Sequence, residues 1–166
     1  RMNIKNLGKK FFINSFLVIL IFLLDRISKI YVISLDKKSF GSEIFHSKFF
    51  NISLIWNEGI AFGFLSFGHE NLYNLLTILI IFIIFFVFVM TIKSYGLKKY
   101  ALMMILGGAL GNVFDRIFYK AVPDFIDFHV GEFHWFIFNF ADVFITIGVF
   151  YMILSEFIDN NSREVL

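Results

Sequence analysis

The sequence predicts an all-α membrane protein in which four transmembrane helices carry a small extracytoplasmic antiparallel β-sheet. Three observations lead there. The chain of 166 residues is 58% hydrophobic and only 17% charged, with 26 Phe, a composition far from that of a soluble globular domain. Four segments, 11–34, 72–92, 100–118 and 137–158, are long and apolar enough for the roughly 20 residues that a helix needs to cross a bilayer. Between the first two lies a stretch whose side chains alternate with the two-residue period of a strand. The absence of Cys excludes disulfides, thiolate metal sites and a cysteine nucleophile. A net charge of +2 with no basic patch interleaved with aromatics gives no handle for nucleic acid.

Taken in order, the first span is too long for the apolar region of a cleaved secretory signal. It also has no small-residue cleavage site before Asp25, so it is expected to remain as a helix. The loop over 35–71 is long for a bundle connection. Within it "KFFNISLIW" sets Phe49, Asn51, Ser53 and Ile55 against Phe50, Ile52, Leu54 and Trp56, which reads as a strand. "NEGIAFGFLSFG" then supplies Gly59, Gly63 and Gly68 for tight turns or close backbone approach. The second span carries no charge. The third holds Gly107, Gly108, Ala109 and Gly111, a small-residue surface that lets a neighbouring helix come close. Residues 119–136 are expected to be a second extracytoplasmic loop with Lys120, Asp127 and Glu132 solvated. No internal repeat divides the chain, so 1–166 is expected to be one membrane-embedded domain. Arg1, Lys5, Lys9 and Lys10 before the first span, and Lys93, Lys98 and Lys99 between the second and third, predict that both termini are cytoplasmic.

With that topology the polar residues of the spans collect at one depth, near the outer face. Asp25 and Lys29 are spaced i,i+4, Asn112 and Asp115 i,i+3, Asn112 and Arg116 i,i+4, and Asn139 and Asp142 i,i+3, so each set shares one helix face. Charge at membrane depth is costly unless paired, which makes such a cluster a candidate site. A plain structural role competes at several positions. Asp25 and Lys29 make a natural helix-end ion pair, while Asp115 and Arg116 are adjacent, point apart and need separate partners. Asp142 has no local cation and needs a partner from elsewhere, and Asp124 lies within reach of the start of the fourth span. His46, His69, His129 and His134 do not form the His-Glu-x-x-His helix of a zinc protease, and Ser66 lacks a hydrolase elbow. No metal and no cofactor are expected.

If Asp124 and Asp142 face one another, two carboxyl groups about 3 Å apart cannot both ionise readily and hold one proton between them. One then acts as base toward a water that attacks an amide carbonyl, and the other as acid toward the carbonyl oxygen. Asn112 and Asn139 can orient the carboxylates or the substrate backbone through their amides, and Arg116 can anchor a carbonyl or a phosphate-bearing lipid group.

At these residues the chain resembles the lipoprotein signal peptidase (signal peptidase II) family, aspartic peptidases of the bacterial inner membrane. The resemblance rests on "DRISK" (Asp25 to Lys29), "NEGIAFG" (Asn57 to Gly63), "GALGNVFDR" (Gly108 to Arg116), "VPDFIDF" (Val122 to Phe128) and "FNFAD" (Phe138 to Asp142), in the family's order and over nearly the whole chain. It implies a catalytic dyad at Asp124 and Asp142, substrate-pocket positions at Asn57, Gly59, Asn112, Arg116 and Asn139, and supporting roles for Asp25, Lys29 and Asp115. It further implies cleavage of diacylglyceryl-modified prolipoproteins before the lipidated cysteine, and inhibition by globomycin-type peptides. The implied setting is a monomer among membrane lipids, with the site at the periplasmic face under a β-cradle and a short extracytoplasmic helix. The chain departs from the family pattern at Arg26, Ser28, Glu58, Ile60 and Pro123, the last expected to stiffen a turn that presents Asp124.

Two other classes compete. A proton-coupled carrier also places acids in its spans, but carriers show repeated halves and midplane sites, whereas these halves differ and the acids lie off centre. A non-enzymatic assembly factor leaves the paired Asp and Asn residues without a purpose.

Overall fold

The computed structural model describes residues 4–41, 43–59 and 70–164. Those residues form α1 (Ile4–Ser39), β1 (Phe45–His46), β2 (Phe50–Asn57), α2 (Glu70–Lys93), α3 (Gly96–Tyr119), β3 (Val122–Val130), β4 (Phe133–Phe138) and α4 (Phe140–Glu164). Helix α3 is the central element, packed against α1, α2 and α4. Its glycines are the reason. A Cβ on Gly108 would stand 2.5 Å from the Ala141 carbonyl oxygen, and one on Gly148 of α4 would stand 2.7 Å from the Ala101 carbonyl oxygen, so α3 and α4 touch backbone to backbone.

Three helical stretches among the described residues, Asn71–Lys93, Gly96–Tyr119 and Phe140–Ile158, are long and apolar enough to cross a membrane. Helix α2 shows why: Leu75, Ile78, Phe82, Phe85 and Phe86 are exposed, a surface that water would not tolerate and lipid does. The chain is thus membrane-embedded. Helix α1 has the length but is interrupted by Asp25, Arg26 and Lys29. It ends where Phe40 and Gly41 both adopt positive φ, with the Gly41 N–H donating to the Asp36 carbonyl at 3.2 Å.

The four strands form one antiparallel sheet in the order β1-β2-β3-β4. Strand β2 confirms the alternating stretch read from the sequence. The second loop, in contrast, is not irregular: it contains β3 and β4, joined by a two-residue turn at Gly131 and Glu132. Gly131 has φ of 61°, the left-handed first position of a hairpin turn that glycine favours. Asp127, expected to be solvated, is buried, while Lys120 and Glu132 are exposed as expected.

The sheet rests on the end of α1, where Val32 packs with Phe125, Ile126, Ile52 and Phe138. Pro123 stands inside β3 opposite Trp56, not in a turn. It is tolerated because β4 pairs with β3 only from Ile126 onward. The fourth helix begins at Phe140, not Ile137, since Ile137 and Phe138 belong to β4. Residues 60–69, with Gly63, Ser66, Gly68 and His69, lie outside the described residues, and no short helix occurs among the described ones.

Candidate active site

Strand β3 leaves the end of α3 and carries Asp124 back across the bundle to the start of α4. There the sequence "NFAD" makes a reciprocal helix cap. The Asn139 side-chain oxygen accepts the Asp142 N–H at 3.2 Å, and the Asp142 Oδ2 accepts the Asn139 N–H at 3.2 Å, the capping-box pattern with Asn and Asp in place of Ser and Glu. Asn139 therefore caps α4 and is not part of its first two turns. Its Nδ2 donates to Asp124 Oδ1 at 2.6 Å, so one residue holds both carboxylates.

Each carboxylate has a second amide donor from a different element. Asn57 Nδ2, at the end of β2, donates to Asp124 Oδ2 at 2.9 Å, and Asn112 Nδ2, on α3, donates to Asp142 Oδ1 at 2.8 Å. Neither acid forms an ion pair among the described residues. Burial and the nearby charge of Asp142 push the Asp124 carboxyl up to about 6, against the lowering effect of the Asn57 and Asn139 hydrogen bonds. A carboxyl group in that range is available to exchange a proton near neutral pH.

Both acids line a cavity of about 250 Å³ together with Asn57, Asn112 and Arg116, its apolar wall including Ile80, Val122 and Ile145. Arg116 meets no acid directly among the described residues. Its Nη2 donates to the Gly59 carbonyl at 3.0 Å and its Nη1 to the Asn112 carbonyl at 3.2 Å. The Gly59 N–H in turn donates to Asn57 Oδ1 at 2.8 Å. Arg116 and Asn57 thus fix the backbone at Gly59 beside the cavity.

Below the acids lies a second, charged group. Lys29 Nζ donates to Asp115 Oδ2 at 2.6 Å and Asn112 Oδ1 at 2.8 Å and pairs with Asp25 Oδ2 at 3.0 Å. By taking the oxygen of Asn112, Lys29 decides that its Nδ2 faces Asp142. Arg26 pairs with Asp25 at 3.1 Å and Asp115 at 2.6 Å and lies 4.8 Å from the centre of the Phe114 ring. Asp25 Oδ1 accepts the Ala141 N–H at 3.1 Å, a second anion on the α4 N-terminus. A Cβ on Gly111 would collide with the Asp25 carboxylate, so this glycine makes room for the group.

The structure therefore brings together every site residue selected from the sequence. Asp124, Asp142, Asn57, Asn112, Asn139 and Arg116 line or support one cavity, Gly59 borders it, and Asp25, Lys29 and Asp115 brace it from α1 and α3. Sequence reasoning missed Arg26, taken only as a departure from a motif although its i,i+3 neighbour Lys29 marks the same helix face. It also missed the Asn-x-x-Asp cap, whose spacing is a helix-start signal.

Comparison with known proteins gives the family of the chain. The Signal peptidase (SPase) II family model matches residues 17–158. The chain is 46% identical over 163 residues to the lipoprotein signal peptidase of Pelagibacter ubique (strain HTCC1062), covering 98% of this chain and 96% of that one. It is 41% identical over 141 residues to the lipoprotein signal peptidase of Anaplasma marginale (strain Florida), covering 84% and 81%. A solved structure described as a bacterial membrane enzyme, determined by the in meso method at 2.3 Å resolution, superposes with a TM-score of 0.71 at 28% identity over 90% of each chain. Another, at 1.9 Å, gives a TM-score of 0.65 at 31% identity over 86% of this chain and 90% of that one.

Proposed function

Because this chain belongs to the signal peptidase II family, we propose that it is an aspartic endopeptidase whose Asp124 and Asp142 remove the signal peptide from diacylglyceryl-modified prolipoproteins, cutting before the lipidated cysteine. The observation that carries this reading is that Asn139 bonds both carboxylates at one cavity. Two acids so placed, with neutral amides as their direct partners, share one proton. The ionised member takes a proton from water as its oxygen attacks the scissile carbonyl carbon. The protonated member gives its proton to the carbonyl oxygen. On collapse of the resulting gem-diol the C–N bond breaks, the protonated carboxyl gives its proton to the departing amine, the other carboxylate takes a proton from a gem-diol hydroxyl as the C=O re-forms, and the pair returns to its single-proton state.

The other residues supply orientation. Asn57 and Asn112 keep each carboxylate in place, and Arg116 holds the Gly59 backbone where it can border a bound peptide. The apolar wall of Ile80, Val122 and Ile145 suits a substrate segment of small apolar residues near a lipid anchor. In this reading α1 is a fourth span, since its charges are cancelled inside the bundle by Asp115 and by the α4 N-terminus, and hydropathy alone overlooks that compensation. The Lys/Arg distribution then places both termini in the cytoplasm, the sheet on the periplasmic face of the inner membrane and the dyad beneath it.

Asp124→Asn and Asp142→Asn are each expected to reduce cleavage of a diacylglyceryl-modified precursor by more than about a thousandfold, within the range of general acid–base catalysis, while remaining folded in detergent. Wild-type turnover by either variant removes the dyad. A globomycin-type peptide is expected to compete with the precursor.

A further inference from the structure

We propose that Asp127, His129 and His134 form a binding site for one divalent transition metal ion of the zinc class, on the sheet and apart from the cavity of Asp124 and Asp142. Asp127 and His129 are two residues apart on β3 and so share a face, and His134 on β4 is the direct cross-strand partner of His129. One ligand atom from each of the three lies within 4.8 Å of the others. Asp124 is three residues from Asp127, an odd step along the strand, so the two carboxylates face opposite sides. None of the three proposed ligands lines the cavity.

A simple hydrogen-bonded pair accounts for part of the arrangement. His134 Nδ1 stands 2.8 Å from Asp127 Oδ2, and Asn51 Nδ2 reaches the same oxygen at 3.4 Å. That leaves two buried atoms, His129 Nδ1 and Asp127 Oδ1, with no hydrogen-bond partner among the described residues. Their side chains belong to residues only 7% and 4% exposed, so water offers little relief, and an unpaired buried polar atom keeps its full desolvation cost. The His129 and His134 rings also stack at 5.0 Å with an interplanar angle of 13°. A cation at the ring edges, in line with the nitrogen lone pairs and beside the carboxylate, satisfies the orphaned atoms at once.

The donor set selects the kind of ion. Two imidazole nitrogens and one carboxylate oxygen suit zinc and its neighbours, whereas magnesium and calcium prefer all-oxygen shells. Metal–ligand distances of about 2.0–2.2 Å require the three atoms to draw together from their present spread. His134 is half-exposed, so its ring has room to turn inward by exchanging its bond to Asp127 Oδ2 for the ion, and the position left open faces the solvent beside it. Asn51 holds the carboxylate in place from β2, the outer support that such sites use. His46 of β1 stacks on His129 at 6.0 Å, with Glu43 3.5 Å from His46, which adds donors along the same edge. An ion here ties β3 to β4 and steadies the strand that carries Asp124, without touching the reacting bond.

The test uses full-length protein purified in detergent without a histidine tag and stripped by a chelator. Titration with Zn2+ is expected to show one ion per chain and a rise in Tm, and Co2+ is expected to give a tetrahedral absorption band; Mg2+ is expected to do neither. His134→Gln, at an exposed position that folding tolerates, is expected to weaken Zn2+ binding by at least the roughly tenfold that loss of even an outer-shell partner costs. The double variant with His129→Gln is expected to abolish the Co2+ band. Absence of stoichiometric Zn2+ uptake by the wild type, or unchanged uptake by His134→Gln, overturns the proposal. Binding is read without turnover, so its failure leaves the peptidase reading intact, and failure of that reading leaves this one.

Discussion

Two acidic groups lie side by side in this bundle and are treated in opposite ways. Asp25 and Asp115 meet Lys29 and Arg26 at 2.6–3.1 Å, two negative charges against two positive ones, all buried. Asp124 and Asp142 are held by the neutral amides of Asn57, Asn112 and Asn139, and both open onto a cavity. Salt bridges hold the first group in place, each carboxylate there matched by cations from α1. Amides fix the position of the second group without deciding its charge. The contrast separates a brace from the proposed proton-transfer site more sharply than burial does, since Asp25 at 0% and Asp124 at 3% exposure are alike in that respect. Asn112 joins the two, taking its orientation from Lys29 and giving it to Asp142.

The comparison breaks hardest at Lys29. Lys29→Met leaves Asp25 and Asp115 with Arg26 alone and is expected to cost about 3–5 kcal/mol, the usual penalty for removing one partner of a buried pair. Cleavage falls with it, because the Asn112 amide loses the contact that fixes its direction. Asp142→Asn, by contrast, is expected to leave the melting temperature in detergent nearly unchanged while stopping cleavage. Equal loss of stability in both variants is the result that erases the distinction between brace and dyad.

A second probe uses pH. Burial raises the Asp124 carboxyl from 3.8 to about 6, so the folded chain binds that proton more tightly than the unfolded chain. Its contribution to stability is complete below the unfolded value and is lost as the pH rises through about 6. Asp124→Asn has no such loss. Between about pH 4 and about pH 8 the variant is expected to gain on the wild type by up to about 3 kcal/mol, at 1.36 kcal/mol per pKa unit. Parallel stability curves for the two proteins contradict the raised value.

Most of the site was legible because helical spacing is written in single residues: Asp25 with Lys29 and Asn112 with Arg116 announced their faces. Strand β2 was equally readable from its alternation. Strands β3 and β4 were not, since β3 is buried at nearly every position and "VPDFIDFHV" shows no alternation. The signal that could have found them is Gly131 with Glu132, a two-residue hairpin turn between Val130 and Phe133. Asp127 looked solvated because its partners, His134 and Asn51, come from across strand pairings that local sequence does not encode. The start of α4 was placed too early because Ile137 and Phe138 are apolar for the sheet, not for the membrane.

The smallest effect refines the comparison most. Arg26→Gln removes one cation from the brace but keeps a donor long enough to reach one carboxylate, and Asp115 retains Lys29 at 2.6 Å. The cation–π contact with Phe114 is lost as well, worth about 0.5–1 kcal/mol. A total cost of about 2–3 kcal/mol is expected, since a hydrogen bond to a charged group contributes about 1.5–3 kcal/mol and Gln keeps one of the two contacts, and the denaturation midpoint in detergent measures it. Cleavage of the folded variant is expected to match the wild type, because Arg26 touches neither Asp124, Asp142 nor Asn112 among its contacts. Lost turnover at unchanged stability shows instead that the charge balance of the brace reaches the dyad, and the two groups are then one electrostatic unit.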